Sequence, residues 1–334
     1  MTDTIHLSLA ELATLLGDIL QRHGCSPAVA ACIANNYATA EQDGAKSHGV
    51  FRMPAVVSTL KSGWLDGMAE PLVEDTAPGL VRVDAANGFT QFALAAGRDL
   101  LVEKVRASGI AAIAIRNSHH FGALWPDVEP FAREGLIALS VVNSMTSVVP
   151  HGGTKPVYGT NPIAFASPRH GHDPLVFDQA SSALANGDVQ IAAREGHALP
   201  PGAGLDKHGQ PTTDPHAVLH GGALLPFGGH KGSSIALMVE ILCAGLTGGQ
   251  FSFEVDWSGH NGALTPKTGQ TIILIDPEQG ASRPFRSRVE QLLAQLHAAG
   301  QERLPGDRRY ANRRHAQAHG IALSRQEYDT LSAL

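Results

Sequence analysis

The sequence is poor in cysteine. Its three, Cys25, Cys32 and Cys243, are odd in number and show no CxxC spacing. That argues against a disulfide framework and a thiolate zinc site, and it fits buried thiols in a reducing compartment. No apolar run reaches 18 residues, so no membrane-spanning helix is expected. The segment MTDTIHLSLAELATLL has no basic stretch followed by an apolar one, so it does not read as a secretory signal, and a cytoplasmic protein is the expectation. Excess positive charge is also missing. Lys and Arg number 25 against 31 Asp and Glu, a net charge of −6, which leaves no general basic field for nucleic acid. Five signatures are absent: G-x-G-x-x-G, G-x-x-x-x-G-K-[ST], H-E-x-x-H, the EF-hand loop and G-x-S-x-G.

What is present suits an α/β protein with many tight turns. Of 334 residues, 36 are Gly and 20 are Pro, and 43% are hydrophobic. The length is more than one compact core usually holds, so two lobes are expected. Leu9, Leu12, Leu16, Ile19 and Leu20 recur at helical spacing behind a Ser8/Glu11 capping box. Ser26 and Pro27 open a second helix that runs out near Gly44. GVFRMPAVVSTLKSG reads as a third, with Pro54 in its first turn or kinking it. LVRVDAANG, IAAIAIRN, LIALSVVNS, NPIAFASP, PLVFDQA and TGQTIILIDPEQG read as strands. KGSSIALMVEILCAGLTGG is apolar nearly all round and is expected to be a central helix. The middle of the chain is strand-rich and both ends are helix-rich. The expected lobes are 1–116 plus 285–334, helical, and 117–284, strand-bearing.

Four stretches could carry chemistry. Ser47, His48 and Arg52 lie where the second helix ends. On one helix His48 and Arg52 would share a face. Histidine can exchange a proton near neutral pH, and arginine can grip a carboxylate with two hydrogen bonds; a solvated helix face is the plainer reading. NSHHFGALWP follows a strand, where α/β enzymes place ligands, though an ordinary connection would look the same. LPFGGHKGSS puts a glycine turn and Lys231 at a helix N-terminus, which suits an anion or simply a close-packed helix start. RLPGDRRYANRR sets Arg303, Arg308, Arg309, Arg313 and Arg314 against one acid, Asp307, as a phosphate patch or a solvated face. The 17 histidines have no carboxylate or thiol partners at ligand spacing, so no metal site is expected.

DGAKSHG, NSHHFG, HGGTKPVYGTNPIAFASP and LPFGGHKGSSIALMVEILCAGLTGG together resemble the malate/L-lactate dehydrogenase superfamily, the branch unrelated to Rossmann-type lactate dehydrogenases. The likeness runs from about Leu9 to Asn312. Within that superfamily, VVNSMTSVVPHGG, NGDVQIAAREG and FSFEVDWSGHNGALTPKTGQ are similar to the reductases of Δ1-piperideine-2-carboxylate and Δ1-pyrroline-2-carboxylate. Asp188 after Gly187 is the reductase pattern, where the hydroxyacid dehydrogenases tend to carry lysine. The resemblance implies an NADPH-binding domain built on a mostly antiparallel, non-Rossmann sheet, a helix-rich lobe from both chain ends, and a homodimer. It implies reduction of cyclic imino acids to L-pipecolate and L-proline.

Carried over by position, Ser47, His48 and Asp188 are the implied proton relay, and Arg52, Thr160 and Asn186 the implied substrate contacts. His120, Phe121, Gly122, Ala123, Leu124, Asp178, Gln179, Ala180, Gly229 and His230 are the implied cofactor lining. The loop of Pro305, Gly306, Asp307, Arg308, Arg309, Tyr310 and Ala311 is expected to meet the cofactor near its phosphates. Gly122 stands where alanine is expected, and Ser181-Ser182 replaces a more usual Thr-Ser. Two rival readings stay open: an NAD(P)-dependent malate, lactate or ureidoglycolate dehydrogenase of the same superfamily, and a non-catalytic nucleotide- or carboxylate-binding protein.

Overall fold

A computed structural model describes residues 4–334. The frame is a seven-stranded sheet. Its strands are β2 (Leu72–Ala77), β3 (Leu80–Asp84), β4 (Ile110–Ser118), β5 (Ile137–Val142), β6 (Ile163–Ser167), β7 (Leu175–Gln179) and β11 (Thr268–Ile275), in the order β2-β3-β4-β11-β5-β6-β7. Only the β3–β4 pair is parallel. It needs a crossover, which α4 (Thr90–Ser108) supplies, stopped by Gly109 in the left-handed region at φ 80°. With α5 (Trp125–Arg133), α4 covers one face of the sheet, and Val83, Ile113, Leu101, Phe131 and Ile272 form its largest core.

The chain ends build a second core. The Ser8/Glu11 capping box starts α1 (Leu9–Arg22), and Ser26 caps α2 (Pro27–Gln42), with Pro27 at its start. These helices pack with α3 (Met53–Lys61), and their core includes Leu16, Ile33, Met53, Leu323 and Leu331. The last two come from the far end of the chain. There β12 (Ile321–Ser324) pairs antiparallel with β1 (Thr4–Leu7), and α12 (Arg325–Ser332) closes the lobe. The remaining terminal helices are α9 (Pro277–Gly280), α10 (Phe285–Ala298) and α11 (Asp307–His319). A small third unit surrounds the three-stranded sheet of β8 (Gly204–Leu205), β9 (Pro211–Thr212) and β10 (Ala223–Leu224), with α6 (Asn186–Glu195) and α7 (Pro215–Leu219).

Three expectations differ from what is found. The boundary drawn between residues 116 and 117 falls inside β4, and β2 and β3 join the same sheet as the strands of the middle segment. The helix expected from Gly49 starts at Met53, and Lys46–His48 and Val50–Arg52 form two separate 3-10 turns. An α-helix through this point would press the Pro54 ring against the Val50 carbonyl. The apolar helix α8 (His230–Glu240), prolonged by a π turn over Ile241–Gly245, is not central. Val239 and Cys243 pack on Val141 of the sheet, while Leu237, Ile241 and Leu246 are about half exposed in the single chain, at 49%, 55% and 50%.

Candidate functional site

The two 3-10 turns at the end of α2 set the site. Gly49 separates them, and its lack of a side chain is required: a Cβ there would lie 2.1 Å from Glu41 Oε2. The close approach lets the buried Glu41 carboxylate accept the Val50 N–H at 3.0 Å. Burial pushes that carboxyl up to about 7, against the pull of the Val50 bond and of Lys46. The first turn carries Ser47 and His48, whose Oγ and Nδ1 are hydrogen-bonded at 2.9 Å. The second carries Arg52.

Arg52 is buried, and its guanidinium lies 4.2 Å over the Phe121 ring. Its Nε has no hydrogen-bond partner. Among the described residues no carboxylate comes within ion-pair distance of it. Burial is also the main reason its pKa is lowered, to about 10, while Tyr37 and Asp188 oppose the shift. The same desolvation holds His48 down at about 3, helped by the charges of Arg52 and His120. His48 is therefore a neutral imidazole at neutral pH.

A cavity of about 760 Å³ opens beside these groups. It gathers most of the expected residues from distant parts of the chain. Ser47, His48, Thr160 and Asp188 line it, with Gly122, Ala123, Leu124, Asp178, Gln179, Ala180, Arg308 and Arg309. Asp178 is fixed by structure as well: its Oδ2 accepts the N–H groups of Leu124 and Trp125 at the start of α5, at 2.8 and 3.1 Å. Thr160 is placed by its neighbour Asn161, which adopts a left-handed φ of 39° and donates Nδ2 to the Ala236 carbonyl and to Glu240 of α8. Arg309 stacks over Trp125, Cζ 4.2 Å from the ring, and its buried Nη1 has no partner.

Other expected residues lie elsewhere. Asp188 is exposed and makes no hydrogen bond or ion pair with His48, so the third link of the expected relay is not closed in this structure. Asn186 opens α6 but does not line the cavity. His120 sits just behind it, held by Asp127 at 2.8 Å. Gly229 caps α8 and lines a smaller neighbouring cavity of about 320 Å³ with His151, while His230 is exposed. Pro305 and Ala311 are exposed; Gly306 caps α11, Asp307 accepts the Leu304 N–H, and Tyr310 is buried with its hydroxyl donating to the Pro174 carbonyl. His119 is structural, bonded to Thr265 and Asn87. Sequence reasoning passed over Glu41, and it passed over Lys46, Trp125 and Phe227 as cavity walls. Trp125, Phe227 and Lys46 lie within NSHHFGALWP, LPFGGHKGSS and DGAKSHG, stretches that stand out in the sequence; Glu41 lies just before the last of these.

Comparison with known proteins covers nearly the whole chain. The family described as malate/L-lactate dehydrogenase matches residues 7–332. A Δ1-pyrroline-2-carboxylate/Δ1-piperideine-2-carboxylate reductase of Pseudomonas putida is 62% identical over 330 residues, 99% of this chain and 97% of that protein. The crystal structure of a Δ1-piperideine-2-carboxylate reductase from Pseudomonas syringae pv. tomato superposes with a TM-score of 0.97 at 59% identity, covering 98% of this chain and 99% of that one. A (2R)-3-sulfolactate dehydrogenase (NADP+) of Chromohalobacter salexigens is 40% identical over 308 residues, 92% of each chain.

Proposed function

The chain belongs to the malate/L-lactate dehydrogenase family, and on that basis we propose that it reduces cyclic imino acids with NADPH, Δ1-piperideine-2-carboxylate to L-pipecolate and Δ1-pyrroline-2-carboxylate to L-proline. The strong likeness to reductases of these two compounds supports the substrate class. The observation that carries the reading is Arg52: a buried cation with no anionic partner, beside a bonded Ser47–His48 pair. Such a charge is costly to leave unpaired, and a substrate carboxylate supplies the missing partner.

The residues present fit a nicotinamide dinucleotide phosphate. The unpartnered Arg309 Nη1 and the exposed Arg308 offer charge for a phosphate, and Gly122, Ala123 and Leu124 form a wall at the start of α5. When bound, the nicotinamide supplies the hydride that goes to the ring carbon of the C=N bond. As that bond becomes single, the ring nitrogen takes a proton. His48 is the group placed to hold it, with Ser47 fixing its ring through Nδ1. In the empty site the Arg52 charge helps keep His48 neutral. Burial is the larger cause of the lowered His48 pKa; a carboxylate paired with Arg52 removes the Arg52 repulsion and so favours the protonated imidazole in part. Asp188 lines the same space as an acceptor.

The test is NADPH oxidation with the two cyclic imino acids beside pyruvate and oxaloacetate. The reading expects turnover with the imino acids at least tenfold faster. Faster turnover with the oxo acids would shift the assignment to a hydroxyacid dehydrogenase. No oxidation with any of the four would revive the binding-protein alternative.

A further inference from the structure

Glu240 of α8 is a buried carboxylate, 4% exposed. Hydrogen bonds hold it in place of a cation. Its Oε1 accepts Asn161 Nδ2 at 2.8 Å and the Ser252 hydroxyl, and its Oε2 accepts the Ser252 N–H at 3.0 Å. A carboxylate is costly to bury unless such bonds are complete. All three partners arrive as donors, so an acceptor-only group fits. A glutamine of the same shape does not: whichever way it turned, its NH2 would meet Asn161 Nδ2 or the Ser252 N–H.

What Glu240 grips is a strained turn. Asn161 is fully buried and sits at φ 39°, although the residue before a proline is pushed toward extended backbone. A residue other than glycine stays in that region only where its surroundings fix it. Here Asn161 Nδ2 donates to both the Ala236 carbonyl and Glu240, so α8 holds the turn at two points. Thr160, one residue earlier, lines the cavity with Ser47, His48 and the cofactor candidates. Its carbonyl is taken by the N–H and hydroxyl of Ser181, at 2.9 and 3.0 Å, which leaves its side-chain hydroxyl to meet a ligand.

Resting on the imino-acid reading, we propose that Glu240 is a positioning residue for the reaction: acting through the Asn161 amide, it holds the turn that presents Thr160 to the substrate. Glu240 itself does not line the cavity. Its bonds to Ser252 anchor the carboxylate between α8 and the Ser252–Glu254 turn and keep it from swinging away from Asn161. The grip on substrate is thus set in part from outside the site. Loosening it weakens the binding of substrate and transition state alike, which raises KM and spares kcat.

Glu240→Gln breaks the network from one end. Asn161→Gly breaks it from the other, since glycine accepts a left-handed φ but has no amide to hold it there; it remains informative if Glu240→Gln folds poorly. Steady-state kinetics with both imino acids, NADPH affinity by fluorescence titration and thermal melts form the readout, and each change is repeated on a Thr160→Val background. Each single variant should raise the imino-acid KM about fivefold or more, the worth of one neutral hydrogen bond, with kcat within about threefold and NADPH affinity within about twofold of wild type. On the Thr160→Val background, whose own KM is already raised, neither should change KM by more than about twofold. A lower Tm with unchanged KM would leave Glu240 a structural role only and overturn the proposal. Fully additive effects with Thr160→Val, or a loss of NADPH affinity, would overturn it as well, by routing the effect through other groups. Failure of the underlying reading looks different: wild-type protein would oxidise no NADPH with either ring.

Discussion

At the scale of single residues, burial decides what the titratable groups can do. Glu41 shows the sign plainly. Its carboxyl sits at about 7 in the fold against 4.5 for an unburied one. Between those values the unfolded chain has already released the proton and the folded chain still holds it. Stability therefore falls as pH rises from about 4.5 to about 7, by at most about 3 kcal/mol, and levels off above that. Glu41→Gln keeps an acceptor for the Val50 N–H and removes the titration. Thermal unfolding of the two proteins at pH 5 and pH 8 should show the variant gaining relative to wild type at the higher pH; parallel behaviour would mean that Glu41 titrates normally. Arg52→Lys keeps charge but loses the planar fork. It should raise the imino-acid KM roughly tenfold to a hundredfold, and an unchanged KM would remove Arg52 from the carboxylate site. His48→Ala should lower kcat roughly 10²- to 10⁴-fold with NADPH affinity intact, and near-wild-type turnover would exclude it as the proton donor. Ser47, His48 and Arg52 were legible from sequence as residue types that suit the chemistry, but the stated reason for their grouping was wrong. They share no α-helix. Their proximity depends on Gly49 and Glu41, which a helical repeat cannot reveal.

Elements were readable where they bury an apolar stripe. The helices α1 and α2 begin at the caps expected of them, and the six expected strands form. By contrast, α11 reads as a basic cluster and its first turn as part of a loop over 305–311, yet Asp307–His319 is helix; Tyr310 is its sole buried residue, so no apolar stripe marks it. What holds it is charge. Arg313 bonds Asp43 and Glu129 together, both buried, and Trp125 Nε1 adds a bond to Asp43 at 3.1 Å. Two acids on α5 and after α2 hold the Arg313 pKa well above its usual value despite the cost of burial. Arg313→Ala leaves the buried Asp43 without its ion-pair partner and Glu129 with Arg133 alone. It should cost about 3–5 kcal/mol in a thermal or urea melt, and it should raise the KM for NADPH because α11 carries Arg308 and Arg309. A loss below about 1 kcal/mol would show that the network is solvated.

For the molecule as a whole, composition does not show which strands share a sheet. Composition can register that strands fill the middle of the chain, but the sheet also takes in β2, β3 and most of β4 from before residue 117. Nothing local marks a strand's sheet partner. The last segment is expected in one lobe with the first, but nothing in the sequence marks the β1–β12 pairing that joins them. Deleting residues 325–334 removes Leu331 from the terminal core. The Tm should fall by at least about 5 °C, judged from the usual cost of one large buried side chain. A variant that melts with wild type would show α12 to be dispensable to the fold.

The pairing of Thr4 with Ser324 also has a meaning in time. During synthesis β1 has no partner until nearly the whole chain has been made, and at about 5–20 residues per second that delay is on the order of tens of seconds. Throughout it, α1 and α2 wait with part of their apolar face uncovered. The lobe that begins first is thus finished last, and its apolar face is covered only when the final strand arrives.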